Sequence, residues 1–226
     1  MKTRHLNLTK VKTHAAEVCK LIESLPQYVG GTLDARRKQR YPFERGLDNY
    51  LRKLPELKEI LDQLKKPIKL LDIGTGTGFA LSQISQNWDC NVYGTGLQNI
   101  EDITFPYISA IASDLPFIDN SFDVVVSVQG IAWEPDQIRA LQEVERVLRP
   151  GGVALIYTFT FSHCMELWYG EKFWAECGVS ISTYRRHEFS PRKYRTKTNF
   201  KITQVAIDDI YKDYDHAYYI KISKST

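Results

Sequence analysis

Apolar residues recur along the chain with two different periods, and the change falls near residue 67. In KVKTHAAEVCKLIESL (10–25), Val11, Ala15, Val18, Leu21, Ile22 and Leu25 share one helical face. Gly30 and Gly31 free the backbone and end that pattern. FERGLDNYLRKLPELKEILDQLKK (43–66) is helical again, with a break near Pro55. After Pro67 short apolar runs take over: IKLLDI (68–73), CNVYGT (90–95), YISAIA (107–112), FDVVVSV (122–128) and GVALIYTF (152–159) each predict a strand. The consecutive valines Val124, Val125 and Val126 fit a strand buried on both faces. PDQIRALQEVERVLRPGG predicts a helix with Ile138, Leu141, Val144, Val147 and Leu148 on one face, stopped by Pro150-Gly151-Gly152. FKITQVAIDDI and HAYYIKISK predict two late strands, an antiparallel pair closing the sheet. Strands alternating with helices give an α/β fold with a doubly wound, mostly parallel sheet. The pattern predicts a helical N-terminal extension or lid over 1–66 and the α/β core over 67–226.

The chemistry concentrates where the first predicted strand ends. KLLDIGTGTGFALSQI (69–84) runs from a strand into a helix through Asp72, Gly74, Thr75, Gly76 and Gly78. A strand that turns directly into a helix leaves backbone N–H groups unpaired above the sheet edge. Ligands of such sheets sit outside the carboxyl ends of the strands. Glycines at alternate positions permit the tight turn and let a ligand approach the backbone. A nicotinamide site asks for G-x-G-x-x-G, a phosphate loop for Gly-Lys-Ser/Thr, and a hydrolase elbow for G-x-S-x-G; none is present.

LLDIGTGTG, SDLPFIDNSFDVVVSV and EVERVLRPGGVALI, in that order, resemble the class I S-adenosylmethionine-dependent methyltransferases, and most closely the type 11 group with its LPF-x-D-x-SFD segment. The resemblance covers about residues 68–160 and implies a seven-stranded Rossmann-like sheet with an antiparallel C-terminal strand. It implies S-adenosylmethionine as cofactor. Asp72 to Gly78 would wrap its methionine part, and Gly96 and Leu97 would face the ribose. Ile111, Ala112 and Ser113 would flank the adenine, and Val128 and Gln129 would lie under the methyl donor. Asp123 reads as structural and Asp119-Asn120 as a turn. Two positions depart from the family pattern. Gly96 stands where a ribose-binding carboxylate is usual, and Ile111 where an adenine-binding aspartate is usual. Asp114 for the adenine, and Glu101 or Asp102 for the ribose, are the nearest substitutes. Each lost hydrogen bond costs ~1–3 kcal/mol, roughly five- to hundred-fold in affinity.

Composition adds three constraints. Cys19, Cys90, Cys164 and Cys177 form no C-x-x-C pair, so neither a zinc cage nor a disulfide framework is expected, and no metal. The opening MKTRHLNLTKVKTHAAEV has no apolar signal core and no apolar run is long enough to span a membrane, which sets the expectation of a cytoplasmic protein off the membrane. Charge is unevenly spread: residues 1–70 carry 16 Lys/Arg against 8 Asp/Glu, and residues 71–165 carry 3 against 11.

The methyl acceptor would lie under the parts outside the resemblance. Tyr28, Tyr41 and Arg45, in a lid-like YVGGTLDARRKQRYPFERG, and Trp133 are the substrate-side candidates. His163, Glu134 and Tyr157 are candidates for a catalytic base or hydroxyl, none compelling alone. STYRRHEFSPRKYRTKTNFK (182–201) interleaves basic and aromatic residues in a way that suits nucleic acid or an acidic small molecule, or simply a solvated loop. A small-molecule acceptor is the leading reading. The others are a catalytically inactive binding or regulatory module on the same fold and a nucleic-acid methyltransferase using the basic flanks.

Overall fold

The computed structural model describes residues 46–64, 67–96, 103–134, 136–159, 199–205 and 217–225. Helices α1 (Leu47–Lys53) and α2 (Leu57–Gln63) precede strand β1 (Ile68–Ile73). Then follow α3 (Phe79–Asn87), β2 (Cys90–Gly96), β3 (Tyr107–Ser109) and β4 (Phe122–Val128). A short 3-10 turn (Ile131–Trp133), α4 (Gln137–Val147), β5 (Leu148–Phe159), β6 (Asn199–Val205) and β7 (Ala217–Ser223) complete the described elements. The strands make one sheet in the order β3-β2-β1-β4-β5-β7-β6. β1 to β5 are parallel, and β7 runs antiparallel to both of its neighbours. The chain order reverses between β1 and β4, which makes their carboxyl ends the topological switch point.

Alternation along the central strands builds two cores. Leu70, Val124, Val126 and Leu155 face Tyr50, Leu54, Leu57 and Leu61 of the α1–α2 segment and Leu81 and Ile84 of α3. Leu71, Val125, Ala154 and Ile156 face Ala140, Leu141, Val144 and Val147 of α4. Each large aliphatic side chain buried this way contributes about 1.5–3 kcal/mol, so α1 and α2 are anchored by packing as well as by polar contacts. Glu56, just before α2, accepts from the Tyr219 hydroxyl at 3.1 Å and pairs with Lys221, both on β7.

Two expected boundaries move. The fourth helix stops at Val147, before Pro150-Gly151-Gly152, because Leu148 is already extended and pairs with Phe122 of β4. Its end is capped from far along the chain: Lys224 Nζ donates to the carbonyls of Glu145 at 2.8 Å and Leu148 at 2.7 Å, and to Asn120 Oδ1 at 2.9 Å. The third strand keeps only Tyr107–Ser109; Ile111 and Ala112 turn into the core beneath a turn closed by Asp114 N–H on the Ile111 carbonyl at 3.2 Å. Asp123 is structural as expected, accepting from the Lys69 N–H at 2.8 Å and pairing with Arg149. Asn120 takes the left-handed conformation of a turn, with φ 59°. The helix at 10–25 and the lid-like and basic–aromatic stretches lie outside the described residues. No helix among the described residues is long and apolar enough to cross a membrane.

Candidate functional site

Four strand ends are fastened together around the glycine loop. Gly74 N–H and Thr75 N–H both donate to the Thr95 carbonyl, at 2.7 and 3.0 Å. Thr75 Oγ1 donates to the Asp72 carbonyl at 2.9 Å and accepts from Thr95 N–H at 3.0 Å. Ser127 Oγ donates to the Ile73 carbonyl at 2.8 Å, and Gln129 N–H to the Tyr157 carbonyl at 2.7 Å. The loop ends of β1 and β4 also touch directly. A Cβ on Gly74 would lie 2.3 Å from Gly130 Cα, and one on Gly130 would lie 2.1 Å from the Ile73 carbonyl oxygen. Neither position admits a side chain without displacing the other loop. Gln129, next to this contact, holds φ 64°, a left-handed conformation that non-glycine residues adopt mainly where the surroundings enforce it.

Gly76 differs from its neighbours. It is exposed, its φ is +60°, and a Cβ there would meet nothing nearer than the Gly74 carbonyl at 4.0 Å. Among the described residues, no backbone carbonyl accepts from the Gly76 or Thr77 N–H groups. The loop therefore leaves these two backbone donors without a backbone acceptor at the switch point.

Beneath it lies Asp72, fully buried. Its Oδ2 accepts from the Tyr50 hydroxyl of α1 at 2.9 Å. Its Oδ1 is buried and has no hydrogen-bond partner among the described residues. Burial pushes the carboxyl up to about 7, against the opposing pull of the Tyr50 hydroxyl. Burial and the neighbouring Asp72 hold the Tyr50 phenol well above its ordinary value. A buried carboxylate oxygen with no partner costs about 1–3 kcal/mol, which a cationic or N–H-bearing ligand group would relieve.

The other predicted positions divide. Gly96, Ile111, Ala112 and Ser113 lie with the loop at the carboxyl edge, on β2 and after β3. Ile111 is buried, 5% exposed. Glu134, a candidate base, is buried and spends both oxygens on Ser113: Oε1 accepts from its hydroxyl at 3.0 Å and Oε2 from its N–H at 3.3 Å. Burial pushes this carboxyl up to about 7 while the Ser113 bonds oppose the shift. Its geometry is that of a clamp on the loop after β3. Tyr157, the candidate hydroxyl, is buried under Lys53 of α1, whose Nζ lies 3.3 Å from the hydroxyl and 4.5 Å from the ring centre. Trp133 closes the 3-10 turn after β4, and only its backbone is described. Leu97, Tyr28, Tyr41, Arg45, His163, Glu101 and Asp102 lie outside the described residues.

Several residues that organise the site escaped the sequence reading. Gly130 and Tyr50 carry no local signal, since their partners Gly74 and Asp72 are distant in the chain. Glu143 and Arg146, one turn apart on α4, were more accessible. Glu143 Oε2 accepts from the Leu115 N–H at 3.0 Å. Arg146 donates to the carbonyls of Leu115 at 2.9 Å and Phe117 at 2.6 Å, and pairs with Asp119 at 2.8 Å. The acidic-then-basic spacing of EVER on one helix face is thus what holds the LPFID segment in place.

Residues 71–156 match the family model described as a methyltransferase domain. Human "Arginine-hydroxylase NDUFAF5, mitochondrial" is 29% identical over 129 residues, covering 54% of this chain and 35% of that protein. The "Ubiquinone/menaquinone biosynthesis C-methyltransferase UbiE" of Idiomarina loihiensis is 33% identical over 112 residues, covering 43% of this chain and 45% of its own length. The demethylmenaquinone methyltransferase of Staphylococcus carnosus is 35% identical over 105 residues, covering 41% of this chain and 44% of that protein. The chain thus spans less than half the length of these curated relatives. In fold it is similar to phosphoethanolamine N-methyltransferase 2 of Haemonchus contortus in complex with S-adenosyl-L-methionine, with TM-score 0.59, 16% identity, and coverage of 92% of this chain and 60% of that one. It is also similar to an S-adenosylmethionine-dependent methyltransferase of Mesorhizobium loti, with TM-score 0.54, 17% identity, and coverage of 79% and 100%.

Proposed function

We propose, from the match of residues 71–156 to a methyltransferase domain and the geometry of the glycine loop, that the chain is a class I S-adenosylmethionine-dependent methyltransferase acting on a small molecule. The observation that carries this reading is the pairing of an open glycine loop at Gly76 with a buried, half-satisfied carboxylate at Asp72. The donor set suits the methionine end of the cofactor: Asp72 Oδ1 for its ammonium and the Gly76 and Thr77 N–H groups for its anionic end. The cofactor supplies an activated methyl group on a sulfonium centre, and the transfer is an in-line displacement that needs alignment above all. This chain's residues supply that alignment. Gly74 and Gly130 fix the loop against β4, Gln129 shapes the floor beside it, and Glu134 holds the loop carrying Ser113. Glu134 is engaged by Ser113 and Tyr157 by Lys53, so the reading assigns no catalytic base to either.

The small-molecule class is supported by the names of the quinone-methylating relatives and by the acidic character of residues 71–165, which disfavours a polyanion at this edge. A second reading, a domain that binds the cofactor or another ligand without transferring methyl, is favoured by two observations. Gly96 leaves no carboxylate at the end of β2, and one relative is named for hydroxylation. Calorimetric titration with S-adenosylmethionine and S-adenosylhomocysteine tests the proposal, with Gly76→Arg as the blocked control. Micromolar binding that the control loses is the expected result. No binding at millimolar ligand overturns the cofactor assignment.

A further inference from the structure

The glycine at position 96 is occupied space, not a vacancy. Gly94 and Gly96 alternate on β2 and so face the same side of the sheet. Tyr107, the first residue of β3, pairs with Gly94 and lays its ring along this glycine track. A Cβ on Gly94 would lie 3.0 Å from Tyr107 Cδ2, and one on Gly96 would lie 3.0 Å from the Tyr107 hydroxyl oxygen. The same Cβ on Gly96 would be 3.7 Å from Gly74 Cα and 3.8 Å from Thr75 N, so the phenol oxygen and the glycine loop both border position 96. The ring is carried by the neighbouring strand, and its hydroxyl arrives where a side chain at position 96 would begin. Burial and the nearby Asp72 keep this phenol protonated across the physiological range.

In open α/β sheets, the end of the second strand is where a nucleoside ligand seated on the first glycine loop presents its ribose hydroxyls. We infer that Tyr107 is the ribose-contacting residue of this chain, its hydroxyl doing from β3 what a carboxylate on β2 would otherwise do, with Gly94 and Gly96 as the channel that lets it through. The inference rests on the cofactor reading above. A neutral phenol offers one donor and one acceptor where a carboxylate offers two acceptors. It therefore recognises the diol through a single neutral hydrogen bond or a donor–acceptor pair.

The test is calorimetric and independent of turnover. Wild type, Tyr107→Phe and the double variant Gly96→Asp/Tyr107→Phe are titrated with S-adenosylhomocysteine and with its analogue lacking both ribose hydroxyls, after thermal melting has shown each variant folded. Wild type is expected to bind the analogue roughly tenfold more weakly than S-adenosylhomocysteine, the scale of one or two lost hydrogen bonds. Tyr107→Phe is expected to bind both ligands alike, at the weaker affinity, and the double variant to recover the preference for the diol. If Tyr107→Phe still prefers the diol as wild type does, or binds more tightly, the hydroxyl only fills space and the inference falls while the cofactor reading stands. If wild type binds neither ligand at millimolar concentration, both fall together.

Discussion

Replacing Asp72 by Asn should remove a specific part of the pH dependence of stability. The folded carboxyl titrates near 7 and its ordinary value is 3.8, a difference of about three units because burial disfavours the charge. At about 1.4 kcal/mol per unit, that is an upper bound of roughly 4 kcal/mol. Between about pH 4 and pH 7, the folded chain holds a proton that the unfolded chain has released. Stability therefore falls as pH rises through this window and levels off above about 7. Glu134, raised from 4.5 to about 7, acts in the same direction with a bound of roughly 3 kcal/mol. Asparagine keeps an oxygen for the Tyr50 hydroxyl and cannot ionise, so Asp72→Asn should lose only the share belonging to Glu134. Urea unfolding from pH 4.5 to 8, with no ligand present, measures both profiles. The variant should be flatter than wild type by at least about 1 kcal/mol across the window, a conservative quarter of the bound. Superimposable profiles would refute the reasoning, since Asp72 would then be ionised at little cost despite its burial. With S-adenosylhomocysteine present, wild-type affinity should also rise with pH through about 7 as the carboxylate forms, and the variant should show no such rise.

Two further outcomes are expected. Gly130→Ala forces a methyl group against the Ile73 carbonyl and should cost about 1–3 kcal/mol in urea unfolding, with weaker S-adenosylhomocysteine binding in calorimetry; an unchanged midpoint would mean that the two loops yield freely. Glu134→Ala leaves the buried Ser113 hydroxyl and N–H without their acceptor and should lower stability by about 1–3 kcal/mol, while Glu134→Gln should retain most of it; equal losses in the two variants would remove the clamp role.

The strands legible in the chain were those whose boundaries are set locally. IKLLDI and FDVVVSV are bounded by Pro67 and Gly74, and by a polar turn and Gln129, and both coincide with observed strands to the residue. The end of the helix at Val147 is not legible, because Phe122, the sheet partner of Leu148, and Lys224, 76 residues beyond Leu148, decide it, and neither is a local signal. The glycine loop was legible for the same reason as β1: its φ values belong to its own sequence. What surrounds the loop was not. Tyr50 reaches Asp72 across 22 residues, and nothing in YLRK marks that tyrosine from any other. Glu134 had the composition of a catalytic acid and the geometry of a tether, a distinction set by Ser113 on another loop. Gly96 looked like a missing carboxylate because the residue sharing its space sits on the next strand.

The placement of β7 bears on how the chain is made. β5 is among the most buried strands of the sheet, yet one of its two hydrogen-bonding edges is completed only by residues 217–223, and the start of that strand is capped by Lys224. During synthesis β5 emerges dozens of residues before its partner β7 does. For that interval a nascent chain presents a long apolar strand with an open edge, the kind of surface that recruits other chains. The sheet therefore closes non-locally, and shielding that edge until β7 arrives is a task set by the topology itself.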